Sequence, residues 1–132
     1  MRAVVFVTDD EQAIRAAIVK RLTRQGHRAV GYESGEALLE ALRHELPDLV
    51  LLDLKMPGLN GLDTLKNLRQ LAPSAMVIML TAYGAVQDAV EALKPGAYDF
   101  LIKSVDLEGI DPVLIEAAAR ALEKARKPRI HV

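Results

Sequence analysis

Five short runs rich in Val, Ile, Leu and aromatic residues punctuate the chain, at positions 3–7, 29–32, 49–52, 76–80 and 98–102. Each has the length of a β-strand. Between them the apolar residues change period: Ile14, Ile18 and Leu22, then Leu38, Ala41 and Leu42, then Leu62, Leu65 and Leu68, then Val86, Ala89, Val90 and Leu93 recur at helical spacing. A last helical segment over 114–125 closes the pattern. The strands are continuous rather than alternating in hydrophobicity, so they suit a parallel sheet covered on both faces, with helices as the crossovers. The predicted fold is therefore α/β, a doubly wound three-layer sandwich of five parallel strands and five helices.

Local chemistry marks the boundaries. Ser34 is placed to cap the second helix, Gly26 to follow the first, and Asp111-Pro112 to open the last near Pro112. Pro95-Gly96 should stop the fourth helix abruptly. With 132 residues, 51% hydrophobic and 27% charged, the chain holds one domain with a proper core. We place that domain at 1–127 and read 128–132 as a tail or the start of a linker.

Charge and composition then exclude several classes. A net charge of -1 offers no basic field for nucleic acid or an anionic membrane. No apolar run approaches the about 18 residues of a membrane span, and the first run is too short for a signal peptide. Cysteine is absent, which removes disulfides and thiolate metal sites and agrees with a cytoplasmic location. His27, His44 and His131 lack metal-ligand spacing and read as surface residues.

The informative polar residues sit where the apolar runs end. In an open parallel sheet ligands bind at the carboxyl edge of the strands, where strand order reverses. The first run ends at Thr8-Asp9-Asp10, the third at Asp53, the fourth at Thr81 and the fifth at Lys103. The second ends at Tyr32-Glu33 and belongs at an edge of the sheet. Each polar residue alone has an ordinary explanation: Asp9 or Asp10 as a cap of the first helix, Thr81 as a cap of the fourth, Lys103 as a solvated strand end. Three converging carboxylates are harder to dismiss, because they repel one another unless a cation sits among them. Mg²⁺, a hard ion that prefers oxygen ligands, is the natural choice. A carboxylate beside such an ion and a lysine can act as a nucleophile toward phosphorus, which makes Asp53 a candidate phosphoryl acceptor.

These residues carry a resemblance. "FVTDDE" after the first strand, "LVLLDLKMPGLNGLD" around the third, "VIMLTAYG" at the fourth and "GAYDFLIK" at the fifth occur in order. Together they make the chain similar to the receiver domain of a bacterial two-component response regulator. "LTAYG" and "GAYDFL" are most similar to the nitrogen-regulator type, which usually precedes an AAA+ ATPase and a DNA-binding domain. The resemblance implies a flavodoxin-like sheet of order 2-1-3-4-5. It implies Mg²⁺ held by the side chains of Asp10 and Asp53 and the backbone carbonyl of Lys55, with Asp9 acting through water. Asp53 would be phosphorylated by a histidine kinase or a small phosphodonor. Lys103 would pair with the phosphoryl group, Thr81 would hydrogen-bond to it, and Phe100 would be the switch aromatic. The surface of the fourth helix, fifth strand and fifth helix would then change, and homodimerisation and a C-terminal output domain are further expectations. Pro57 and Gly61 read as turn residues of the loop after the acceptor.

Two departures qualify the resemblance. Ser104 stands where the family usually has a proline whose cis peptide bond aims the lysine. The stretch "SVDLEGIDP" also exceeds the family's usual link into its last helix. They motivate a second reading, a phosphorylation-independent docking module. A haloacid-dehalogenase-type phosphatase would need an aspartate two residues after Asp53, where this chain has Lys55. Gly58 and Gly61 fit neither a dinucleotide fingerprint nor a P-loop.

Overall fold

All five apolar runs become strands of one parallel sheet: β1 (Val4–Thr8), β2 (Arg28–Tyr32), β3 (Leu49–Asp53), β4 (Met76–Thr81) and β5 (Asp99–Ile102), in the order β2-β1-β3-β4-β5. The computed structural model describes residues 3–81, 87, 90, 91, 93–102, 116 and 119–123. Three crossovers are helices with full bounds, α1 (Gln12–Arg24), α2 (Gly35–Ala41) and α3 (Gly61–Leu71). Residues 87, 90 and 91 and residues 116 and 119–123 are also helical, in the two places where the remaining helices are expected. The order is the expected one, with β2 and β5 at the edges and β3 in the centre.

The continuous apolar strands have a simple physical origin. Successive strand side chains point to opposite faces, and both faces are covered. Phe6, Val50, Leu52, Val77 and Met79 pack with Leu38, Leu65 and Leu68 on one face. Val5, Val7, Leu49, Leu51, Ile78 and Leu80 pack with Ile18, Leu22, Ala121 and Leu122 on the other. Leu49 to Leu52 are wholly buried, and each contributes about 1.5 to 3 kcal/mol by leaving water. β3 is consequently buried along its whole length, a firmly packed platform for the residue that ends it. At the β2 edge, Tyr32 meets Phe6 edge-to-face with ring centroids 5.1 Å apart, a favoured aromatic geometry.

Several boundary residues act as expected. Ser34 Oγ accepts a hydrogen bond from the Ala37 N–H at 3.1 Å. Gly26, past the end of α1, has φ 91, which glycine adopts without strain. Residues 93–96 form the turn that ends in Gly96. The start of the last helix at Asp111-Pro112, the stretch 104–112 and the tail lie outside the described residues.

Two expectations are corrected, and one ordinary alternative falls away: the N-cap of α1 is Glu11, with no side-chain cap bond, so neither Asp9 nor Asp10 is its capping residue. Gly61 is the first residue of α3 rather than a turn residue; the left-handed turn falls on Gly58, at φ 78. Gly61 is needed because a Cβ there would collide with the Asp53 carbonyl oxygen and the Leu54 backbone. His27 is half-buried, and its Nδ1 accepts from the Ala3 N–H at 3.3 Å, whereas His44 is exposed as expected. His131 lies outside the described residues.

Candidate functional site

The carboxyl edge of the sheet collects the acidic residues. Asp53 ends β3 and is 2% exposed, Asp9 directly follows β1 and is fully buried, and Asp10 is exposed. One carboxylate oxygen from each lies within 4.8 Å of the others. β1 and β3 are hydrogen-bonded neighbours, with Thr8 opposite Leu52, so their ends emerge side by side. Adjacency in the sheet brings together residues 43 or 44 positions apart in the chain.

Asp9 is fixed on several sides. Its N–H donates to the Tyr32 carbonyl at 3.1 Å, its Oδ1 accepts from the Glu11 N–H at 2.8 Å, and its carbonyl accepts from Arg15 Nη1 at 2.7 Å. Arg15 reaches that carbonyl by crossing Gly31 of β2, where a Cβ would come 2.9 Å from Arg15 Cγ. Arg15 and Gly31 were missed in the sequence reading. Nothing in the spacing of either residue signals a contact between α1 and β2.

The loop after Asp53 is tied at both ends. Leu54 N–H donates to the Leu80 carbonyl at 2.8 Å, and Gly61 N–H donates to the Leu54 carbonyl at 2.9 Å. Asn60 caps α3, its side-chain oxygen accepting from the Asp63 N–H at 2.9 Å. Asp53 Oδ1 accepts from the Lys55 N–H at 3.3 Å. Lys55 is exposed, and with Leu54, Asn60 and Leu62 it lines a cleft of about 260 Å³.

Thr81 is buried at the end of β4, one residue past Leu80, the register partner of Asp53. Phe100 lies opposite Met79 in β5, half-buried against the core on the α2 and α3 face. Lys103 and Ser104 lie outside the described residues. The Thr8 hydroxyl, buried beside Asp9, has no hydrogen-bond partner among the described residues.

A trio of carboxylates, with one open to solvent, could hold a metal ion. The donors are all hard oxygens, and the exposure of Asp10 leaves room for water or a phosphate oxygen, so the residues fit a hard cation. Carboxylates crowded at the end of a buried strand, without a thiol or imidazole among the described members of the cluster, mark an α/β domain with a candidate oxygen-donor cation site rather than a thiolate-metal site.

Comparison with known proteins gives that class a family. Residues 5–115 match the response regulator receiver domain, and the chain belongs to that family. It is 36% identical over 128 residues to the DNA-binding transcriptional regulator NtrC of Escherichia coli K12, covering 97% of this chain and 27% of that protein. It is 39% identical over 110 residues to the response regulator protein FleR of Pseudomonas aeruginosa, covering 83% of this chain and 23% of that one. The crystal structure of the receiver domain of NtrX from Brucella abortus superimposes with a TM-score of 0.81 at 34% identity, over 90% of this chain and 98% of that one. The chain thus spans about a quarter of the curated relatives, and the resemblance to the nitrogen-regulator type holds.

Proposed function

We propose that this receiver domain is a phosphorylation-dependent switch with Asp53 as its acceptor. The observation that supports it most is the gathering of Asp9, Asp10 and Asp53 within 4.8 Å at the end of a buried strand. In this reading Mg²⁺ binds through the side chains of Asp10 and Asp53 and the Lys55 carbonyl, with Asp9 acting through water. When bound it neutralises charge on the phosphoryl oxygens.

The chain's residues supply the rest. An Asp53 carboxylate oxygen attacks phosphorus in line; a P–O bond forms as the bond from phosphorus to the donor breaks. With a histidine kinase the leaving group is its imidazole, which recovers a proton from solvent; with acetyl phosphate it is acetate. Burial of β3 holds the nucleophile still, and Lys103 pairs with the phosphoryl oxygens. Thr81 hydrogen-bonds to the phosphoryl group and moves inward, and Phe100 turns into the space released. The domain thereby catalyses its own phosphorylation, and its dephosphorylation when water attacks phosphorus, the P–O bond to Asp53 breaks and inorganic phosphate leaves the free carboxylate. Its switch shifts the population between two packings of the surface formed by the fourth helix, β5 and the fifth helix.

The partners are a cognate histidine kinase, a C-terminal output domain and a second copy of the receiver, in the cytoplasm. The domain occupies 1–127, with 128–132 as a tail or the start of a linker. It makes no direct contact with nucleic acid. The test is incubation with Mg²⁺ and acetyl phosphate followed by the intact mass. A phosphate adduct absent from Asp53→Asn is expected. Ser104 after Lys103 is the feature that favours a docking module instead, and failure to form an adduct with any donor would decide for it.

A further inference from the structure

The loop between Asp53 and α3 has fixed ends, but its middle needs its own support. Met56 supplies part of it by packing into the core, where it is 7% exposed. The polar support comes from a different element, the first turn of α2. Glu36 Oε1 accepts a hydrogen bond from the Leu59 N–H at 2.7 Å. The same carboxylate lies over Gly58, where a Cβ would come 3.0 Å from Oε1. Gly58 is the left-handed residue of the loop, at φ 78. The carboxylate thus sits against both the turn and the amide that follows it.

We propose that Glu36 is a positioning residue for the phosphoacceptor site, setting the loop so that the Lys55 carbonyl faces the acidic cluster. The inference rests on the reading of Asp53, Asp10 and the Lys55 carbonyl as the Mg²⁺ site. The chain of contact is short: Glu36 holds 58 and 59, and these hold the course of the backbone back to Lys55, whose N–H already donates to Asp53 Oδ1. The Leu59 N–H also keeps the Glu36 carboxyl below its ordinary range, with its own backbone N–H adding to this, so the acceptor is charged at neutral pH. A charge-assisted bond of this kind is short and directional. α2 is itself held against α3, because a Cβ on Gly35 would collide with Thr64 Oγ1. Glu36 therefore reaches the loop from an element already registered against the far end of that loop.

Residues behind a metal's direct ligands typically affect affinity by about 10- to 100-fold. Because Glu36 acts on only one backbone ligand and is exposed, the lower figure applies. Calorimetric titration of the whole chain with Mg²⁺ is expected to show about tenfold weaker binding for Glu36→Ala. Glu36→Gln keeps a carbonyl oxygen for the Leu59 N–H and should restore affinity to within about threefold. Ala41→Gly weakens α2 at the end away from Glu36 and the loop, and should lower thermal stability while leaving Mg²⁺ affinity unchanged. A loss in Ala41→Gly equal to that in Glu36→Ala would assign the effect to α2 as a whole and overturn the proposal. So would equal affinity in wild type and Glu36→Ala. Wild type that binds no Mg²⁺ would overturn the metal-site reading and this inference with it, an outcome visible before any variant is made.

Discussion

β3 carries an aspartate at each end, and the two live in opposite surroundings. Asp48, just before the strand, turns Oδ2 to the Val4 N–H at 2.8 Å, while its own N–H donates to the Val4 carbonyl and its carbonyl accepts from Met76. It ties β1, β3 and β4 together where they start. Asp53, five residues on, faces two more carboxylates. The amino end of the sheet is held by such pairings at several points, although Arg69 Nε is buried there with no partner among the described residues. His27 accepts from Ala3, and Arg69 donates to the carbonyls of Pro73, Ala75 and Gly96. The carboxyl end instead brings three carboxylates close together, an arrangement that a cation among them would stabilise. Residue type says little about role here; the charge of the neighbours says most.

The sharpest way to break that contrast is to remove each aspartate in turn. Asp53→Asn should abolish the phosphate adduct, and in the absence of divalent cation it should cost little or no stability, because it removes one of three neighbouring carboxylate charges. Asp48→Ala should do the reverse, leaving adduct formation intact and costing about 1 to 3 kcal/mol as the Val4 N–H loses its acceptor. Urea denaturation beside intact-mass measurement reads both quantities. A stability loss in Asp53→Asn matching that of Asp48→Ala would dissolve the contrast.

Gly61→Ala tests whether the backbone under Asp53 is as tightly packed as the strand itself. The new methyl would meet the Asp53 carbonyl and the Leu54 backbone, neither of which can rotate away. Overpacking against backbone should cost about 3 kcal/mol and disturb adduct formation as well. Gly26→Ala is the comparison, because nothing lies within 4 Å of a Cβ there and only the φ of 91 opposes it. Its cost should be about 1 kcal/mol, with adduct formation unaffected.

Mg²⁺ should sharpen the contrast without any mutation. A ligand that binds only the folded state stabilises it, by about 1.4 kcal/mol at tenfold its dissociation constant. Melting curves with and without Mg²⁺ should show this gain in wild type and in Asp48→Ala, and lose most of it in Asp10→Asn. An equal gain in Asp10→Asn would place the ion elsewhere.

Much of this was legible in the chain, for reasons that also explain what was not. The strands could be read because burial on both faces writes itself as continuous apolar runs, and the acidic cluster because strand ends in a parallel sheet share an edge. Ser34 and Gly26 act within a few residues of where they stand. Arg15 over Gly31 and Glu36 beside Leu59 could not be read, because each joins elements far apart in sequence and neither belongs to a motif. Gly61 was misread for a related reason. In "PGLNG" the two glycines look alike, and only the close approach of the Asp53 and Leu54 backbone separates a packing glycine from the turn glycine at 58. The link from Lys103 to Pro112 lies outside the described residues.

The smallest expected effect bears on the carboxyl end from a different side. Thr8 ends β1 with its hydroxyl buried and with no partner among the described residues, the counterpart at this edge of Arg69 Nε at the amino end. A buried hydroxyl that makes no hydrogen bond has lost its hydration without return, so an apolar group of the same shape should be better tolerated. Thr8→Val is close to isosteric and keeps the β-branched side chain a strand favours. It should raise stability by about 1 kcal/mol in urea denaturation. If instead Thr8→Val is destabilising and also weakens Mg²⁺ binding, the hydroxyl belongs to the site, and the polar crowding at this edge extends one residue further into β1.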